Sequence, residues 1–364
     1  MLTFLHAADF HLDSPFAALA PEQAAARRAE QRLLLDRLCD LAAERHADLA
    51  LFAGDLFDGE TVYPETVETL SGRLGEMKIP VFIAPGNHDF YSPRSPYARA
   101  VWPENVHIFR HETPEAVALP DLEITVHGAA FTAPKCTRSL LAGFRAPSDG
   151  REHLMVLHGA VGEADGQYDP VTKEEIAQSG LAYLALGHVH LRAAAEKAGE
   201  TVYAWPGCPE GRGFDETGAR GVYVGTLERG GVKLEFVPLA LRRYEILRVD
   251  VTDREPEAAV RAAMPADAAK HIFRVILTGE TDFAPDLAAL SGALSGACYR
   301  LQMRDATRLR RDVWARAGED TLTGLFLRNL RARYEEAESE DARAAVTLAV
   351  RMGLSALEGR EERL

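Results

Sequence analysis

The sequence predicts an α/β fold built on parallel strands, followed by a smaller second α/β unit and a helical tail. Three observations carry that expectation. Over residues 1–90, short apolar runs alternate with helical patterns in the order strand, helix, strand, helix, strand. That order implies parallel strands joined by right-handed crossovers. The texture changes after "PLALRRY" (238–244), which places a boundary near residue 241, and from Asp320 onward the chain is helical in pattern and dense in Arg and Glu.

The first strand, "LTFLHAA" (2–8), ends at Asp9. Residues 21–46 set Leu34, Leu38 and Leu41 at i, i+4, i+7 among Arg and Glu, the mark of a helix with one buried stripe. "DLALFAGD" (48–55) is a short strand running into Gly54-Asp55, a helix is expected near 63–77, and "PVFIAPGNHD" (80–89) is the next strand. Further strands are expected at 122–131, 153–161, 181–188 and 201–207, and residues 220–239 read as a hairpin turning at Gly230-Gly231. Past the boundary, "YEILRVDV", a helix near 255–263, "HIFRVILTGET", a helix near 284–295 and "CYRLQMRDAT" make the second unit. The expected parts are therefore 1–240, 241–318 and 319–364. In the last, Asp320 or Thr321 caps a helix with a stripe of Leu322, Leu325, Phe326 and Leu330, and a second helix presents Ala345, Leu348, Ala349 and Met352. Those stripes either pack back on the second unit or dock a partner.

The 364 residues carry a formal charge of −14, which argues against indiscriminate nucleic-acid binding; a polyanion must meet a local basic patch or a metal site. No apolar run approaches the roughly 18–20 residues that span a bilayer, and no signal peptide is read, so no membrane association is expected. The four cysteines are scattered with no C-x-x-C pair, which fits reduced thiols in a cytoplasm.

In an open α/β sheet, functional groups collect at the C-terminal ends of the strands. Five strand ends here carry donors suited to metal ions: Asp9-x-His11, Gly54-Asp55, Gly86-Asn87-His88-Asp89, His158-Gly159 and Gly187-His188-x-His190. If the backbone stays extended past Gly187, His188 and His190 share one face. Any one pair taken alone reads better as structural; the ordered set of five does not. Carboxylates, imidazoles and one amide oxygen suit manganese, iron or zinc, being too rich in nitrogen for calcium and lacking the thiolates of structural zinc. Arg212 follows a strand near these groups and reads as a phosphate grip or a salt bridge. Residues 299–316, with Arg308, Arg310 and Arg311, form a candidate DNA-backbone patch or a solvated face.

The ordered set resembles the motif series of the calcineurin-like metallophosphoesterase superfamily over residues 9–190, about half the chain. The phrases "HAADFHLDSPF", "LFAGDLFD", "ALGHVH" and "YAWPGCPEGRGFDETGARGVYV" look like the nuclease subunit of the SbcCD type, and especially its YhaO-like DNA repair exonuclease relatives. The resemblance implies a two-sheet sandwich flanked by helices, with a small α/β cap. It implies two divalent metal ions, most simply manganese: Asp9, His11 and His190 on the first, Asn87, His158 and His188 on the second, and Asp55 bridging both. Two metals about 3.5–4 Å apart acidify a water and stabilise the attacking and leaving oxygens of a phosphodiester. His88 then acts on the phosphoryl or leaving oxygen, and Asp89 orients its imidazole. Asp58 stands where many relatives carry a histidine that assists exonuclease chemistry, which leaves the balance of exo- and endonuclease action open. Implied partners are DNA and an SbcC-like coiled-coil ATPase, with a homodimer left open. The alternative is a small-molecule phosphodiesterase or phosphatase, such as one acting on cyclic nucleotides.

Overall fold

The computed structural model describes the chain apart from residues 163–165, 229–230, 283 and 358–364, together with the side chain of Arg311. It divides into two compact units, Met1–Arg243 and the remainder from Tyr244. In the first unit the strands are β1 (Leu2–Ala7), β2 (Leu49–Phe52), β3 (Val81–Ile83), β4 (Val106–Ile108), β5 (Glu115–Leu119), β6 (Ile124–Gly128), β7 (Glu152–His158), β8 (Ala160–Val161), β9 (Pro170–Val171), β10 (Tyr183–Gly187), β11 (Glu196–Ala198), β12 (Thr201–Ala204), β13 (Gly221–Glu228) and β14 (Gly231–Pro238). Its helices are α1 (Pro21–Glu44), α2 (Pro64–Glu76), α3 (Pro96–Arg99) and α4 (Lys173–Gln178).

These strands form two six-stranded sheets, ordered β14-β13-β1-β2-β3-β4 and β11-β12-β10-β7-β6-β5. Within them β1, β2, β3 and β4 run parallel, as do β6, β7, β10 and β12. The apolar runs are continuous because both faces of the parallel strands are covered. Leu5, Ala7, Ala50 and Phe52 pack in one cluster with Leu34, Leu38 and Leu41 of α1. The alternate residues Phe4, Leu49 and Leu51 meet Ile124, Val126, Leu154, Val156 and Tyr183 in the seam between the sheets. A third cluster covers the outer face of the second sheet through Met155, Leu157, Leu184 and Leu186. The fold is thus a mixed α/β two-sheet sandwich flanked by helices. His6 lies in the seam, fully buried, with Nδ1 2.8 Å from the Tyr183 hydroxyl and Nε2 3.1 Å from the Leu186 carbonyl, joining β1 to β10.

The strand ends are shorter than their apolar runs. β2 stops at Phe52, not Asp55, and β3 at Ile83, not Asp89, because the chain turns at those points. Asp9, His11, Asp55 and His188 all have positive φ (55°, 45°, 51° and 91°), as does Gly54 (82°). Non-glycine residues held there carry strain of about 1–3 kcal/mol each, which concentrates at functional sites. The expected hairpin is present as β13 paired with β14, although Gly230, half of its expected turn, lies outside the described residues.

The second unit holds β15 (Tyr244–Asp250), α5 (Pro256–Ala263), β16 (Ile272–Thr278), β17 (Glu280–Thr281), α6 (Leu287–Ala293), β18 (Arg300–Asp305) and β19 (Arg308–Leu309), followed by α7 (Leu322–Glu336) and α8 (Glu340–Leu357). β15, β16 and β18 form a parallel sheet whose crossovers are α5 and α6, closed on Val260, Phe273, Val275 and Leu277. Thr321 caps α7 by accepting from the Gly324 N–H. Leu327 of α7 and Val350 and Leu354 of α8 pack against Val313 and Ala317. Of the expected stripes, Leu322 and Leu325 on α7 and Ala345, Leu348 and Ala349 on α8 face solvent and do not pack back on the second unit; the buried row of α8 begins at Val350, and Gly353 leaves room for the Phe326 ring.

Candidate metal centre

The backbone first zips two turns together. Asp9 N–H donates to Gly54 O (3.0 Å), His11 N–H to Asp55 O (2.9 Å) and Leu12 N–H to Leu56 O (2.8 Å), so the segments leaving β1 and β2 run side by side. Gln31 of α1 donates to the carbonyls of Phe10 and His11 from beneath (3.2 and 3.3 Å). From the second sheet, His158 ends β7 and Gly187 ends β10 in register beside it. Gly187 is required by closeness: a Cβ there would sit 1.8 Å from Ala53 O. That carbonyl accepts from His158 Nδ1 at 2.9 Å, so the sheets meet where the candidate donors emerge.

Donor atoms of Asp9, His11 and His190 lie within 4.8 Å of one another, and so do those of Asp9, Asp55 and His158. The two sets share Asp9, and Asp55 Oδ2 of the second also reaches toward the first, 3.7 Å from His11 Nε2 and 3.4 Å from His158 Nε2. Asn87 Oδ1 is 2.9 Å from His158 Nε2 and 3.3 Å from His188 Nδ1. All seven expected donors therefore converge. His188 and His190 arrive differently from expectation: His188 turns at φ 91°, and they do not project from one extended face. His188 meets Asn87, while His190 Nε2 meets His11 Nε2 at 3.1 Å.

Hydrogen bonds on the far side of the rings show that the donor set fits cations. His11 Nδ1 is 2.9 Å from Asp58 Oδ1, His190 Nδ1 is 2.8 Å from Glu216 Oε1, and His158 Nδ1 faces the Ala53 carbonyl. With Nδ1–H donating in each case, Nε2 presents a lone pair inward. As bare lone pairs the Nε2 atoms of His11 and His190, 3.1 Å apart, repel unless a proton or a cation sits between them, and His158 Nε2 likewise faces oxygen acceptors in Asn87 and Asp55. A cation among them turns each repulsion into coordination. Burial pushes the Asp9 carboxyl up to about 8 and raises Asp55 as well, while it lowers His11 and His158 to about 4 and His188 to about 3. Neutral imidazoles are the ligating form, and carboxylates disfavoured as anions by burial regain charge beside a cation.

His88 stands apart from the buried set. Its N–H donates to Asp55 Oδ1 (2.9 Å), its ring meets the His11 ring edge-on at 4.7 Å, and its side chain is 45% exposed. It is placed to meet something entering from solvent. Asp89 requires a correction. Its carboxylate accepts from the backbone N–H groups of Asp55 (3.2 Å), Leu56 (2.7 Å), Phe57 (3.1 Å) and Gly86 (2.8 Å), and from the Tyr97 hydroxyl (2.5 Å). It clamps the two turns together and does not orient the His88 imidazole, whose Nδ1 lies instead 3.4 Å from the Asp58 carbonyl.

Arg212 is likewise committed to protein carboxylates, those of Glu216 and Asp58. In the second unit, Arg308 is exposed, but Arg310 pairs with Asp253 (2.5 Å) and Asp282 (3.4 Å), so its charge is already engaged; Arg311's side chain lies outside the described residues. Asp13 accepts from Tyr63 N–H and Thr66 Oγ1 (both 2.8 Å), tying the turn after β1 to the start of α2. Sequence reasoning missed Glu216 and the contact of Asp58 with His11. The only signal for Glu216 was its position four residues after Arg212 in "RGFDE".

A model of the calcineurin-like phosphoesterase family matches residues 2–192. The chain is 32% identical over 350 residues to the uncharacterized metallophosphoesterase YhaO of Bacillus subtilis (strain 168), covering 90% of this chain and 84% of that protein. It is 25% identical over 281 residues to the DNA double-strand break repair protein Mre11 of Methanopyrus kandleri, covering 70% of this chain and 61% of that one. A crystal structure of a dimetal phosphatase from Danio rerio superposes with a TM-score of 0.41 at 11% identity, over 65% of this chain and 97% of that one.

Proposed function

The chain belongs to the calcineurin-like phosphoesterase family and is a phosphoester hydrolase, and we propose that its substrate is DNA, cleaved as the nuclease subunit of an SbcCD-like repair complex. The observation that carries the reading is the convergence of the donors on two neighbouring sets that share Asp9, with Asp55 within 3.7 Å of His11 in one and 3.4 Å of His158 in the other. Asp9, His11 and His190 would hold one divalent cation, Asn87, His158 and His188 a second, and Asp55 both. Manganese, iron and zinc are each compatible with this oxygen-and-imidazole set, and manganese is the ion proposed. When bound, the pair supplies Lewis acidity toward the phosphoryl oxygens and an acidified nucleophilic water. His88, exposed at the edge, contacts the phosphoryl group and delivers a proton to the departing sugar oxygen. Asp89 keeps the turns carrying Asp55 and Asn87 in register.

The similarity to Mre11, whose name assigns it to double-strand break repair, supports DNA as the substrate class. An SbcC-like coiled-coil ATPase is the proposed partner. Its docking segment is the pair of C-terminal helices, where Leu322 and Leu325 of α7 and Leu348 of α8 are 68%, 50% and 58% exposed. No helix among the described residues is long and apolar enough to cross a membrane, and a cytoplasmic setting is part of the proposal. The test is manganese-loaded protein on labelled single- and double-stranded DNA, beside bis-p-nitrophenyl phosphate and cyclic nucleotides. Cleavage of DNA is expected. Turnover of cyclic nucleotides with DNA left intact would replace the nuclease by a small-molecule phosphodiesterase.

A further inference from the structure

We propose that Asp58, Arg212 and Glu216 form one brace that sets the spacing and tautomer of the His11 and His190 imidazoles, which makes Arg212 a positioning residue of the metal centre and not a grip for the substrate's phosphate. The inference rests on the reading above, in which His11 and His190 hold the first cation.

The geometry is a closed ring of contacts. Arg212 Nη1 donates to Asp58 Oδ1 (3.2 Å), the same oxygen that accepts from His11 Nδ1 (2.9 Å). On its other side, Nη2 donates to Glu216 Oε1 (2.7 Å), the same oxygen that accepts from His190 Nδ1 (2.8 Å). Nε (3.3 Å) and the Arg212 backbone N–H (2.7 Å) both donate to Glu216 Oε2. The circuit closes inward where the two Nε2 atoms face each other at 3.1 Å. Arg212 Nη2 also lies 3.0 Å from His190 Nδ1, because both N–H groups converge on one carboxylate oxygen, the stronger acceptor. Arg220 holds the scaffold from behind, its Nε donating to the Glu216 carbonyl (3.2 Å) and its Nη1 to the His190 carbonyl.

Each carboxylate does two things at one oxygen. By accepting Nδ1–H it selects the tautomer that leaves Nε2 free, and by accepting from Arg212 it is held where that ring must point. The guanidinium is a planar fork with donors on opposite sides, so one residue spans both carboxylates at fixed separation; an ammonium on a flexible stem cannot. Its side chain is only 21% exposed. A group gripping phosphate would instead direct its donors outward.

The experiment uses the full chain. Metal-free wild type, Arg212→Ala, Arg212→Lys, Glu216→Gln and Asp58→Asn are titrated with manganese, followed by electron paramagnetic resonance and elemental analysis. Imidazole tautomers are read from ¹⁵N spectra of the metal-free proteins, and KM and kcat for bis-p-nitrophenyl phosphate at saturating manganese. Arg212→Ala should weaken one of the two manganese sites by about 10–100-fold and mix the tautomers of His11 and His190, with KM unchanged. Arg212→Lys should not restore them. Asp58→Asn and Glu216→Gln keep side-chain shape, so they carry the test if Arg212→Ala does not fold, and each should weaken manganese binding. A raised KM in Arg212→Ala at unchanged manganese affinity and tautomers would overturn the brace and make Arg212 a phosphate-binding residue. His190→Ala separates the two levels. If it keeps both ions at wild-type affinity, the underlying assignment is wrong; if it loses one while the brace variants lose none, only the brace is rejected.

Discussion

Replacing Gly187 by alanine tests whether contact between the two sheets sets the geometry of the proposed metal centre. The added Cβ would fall 1.8 Å from Ala53 O, 2.9 Å from the Ala53 carbonyl carbon and 3.0 Å from His158 Nδ1. Nonbonded heavy atoms settle about 3.5 Å apart, so the two strand ends must separate by roughly 1.7 Å. Neither side can yield cheaply. β10 is hydrogen-bonded to β7 and β12, Ala53 N–H is bonded to Ala7 O (2.9 Å), and Ala53 itself is fully buried. The displaced carbonyl is the acceptor for His158 Nδ1, so the imidazole loses the bond that fixes its tautomer. Overpacking of this kind destabilises by about 1–3 kcal/mol. For a unit of this size that lowers Tm by about 2–12 °C. A misplacement of about 1 Å at a reacting centre lowers rates by about 10²-fold. Hydrolysis of bis-p-nitrophenyl phosphate at saturating manganese, beside a thermal melt, reads both quantities. A wild-type rate with an unchanged Tm would refute the argument that this close approach positions His158.

Gly72, inside α2, has nothing within 4 Å of where its Cβ would stand, so Gly72→Ala should raise stability by about 0.5–1 kcal/mol in urea denaturation. His88→Ala should lower kcat by about 10²–10⁴-fold while elemental analysis finds wild-type metal content, and metal loss would reassign His88 as a ligand. Asp55→Ala should do the reverse and lose metal, because the carboxylate proposed to hold both cations is gone; two retained ions would sink its bridging role. Asp169 is buried with Oδ1 accepting from Leu140 N–H (2.6 Å), and burial pushes its carboxyl from 3.8 up to about 8. The folded state therefore keeps a proton that the unfolded chain releases, so this contribution to stability is full below pH 3.8 and is lost as pH rises toward 8. Asp169→Asn should remove that slope, read as a difference between wild-type and variant denaturation curves across that range; parallel curves would show that Asp169 does not titrate there.

The strands and the donors were legible for the same reason. Parallel strands covered on both faces must be apolar without interruption, and carboxylates, imidazoles and an amide at the ends of such runs break that pattern conspicuously. The brace was not legible, because nothing about Asp58 or Glu216 as residue types separates them from the other acidic residues of the chain. Their identity depends on partners 47 and 26 positions away. Asp89 shows the converse failure. Adjacency to His88 suggested that it orients the ring, but side-chain direction depends on backbone torsions that the residue order does not display. The folded turn aims that carboxylate at four backbone N–H groups in two segments. His188 repeats the lesson, since alternation along an extended strand would pair it with His190, whereas a positive φ sends the two rings to different donor sets. Wherever the chain leaves regular dihedrals, periodicity stops being a guide. In this protein four of the donors, Asp9, His11, Asp55 and His188, sit at such departures, because a compact constellation drawn from five strand ends cannot be assembled from straight strands alone.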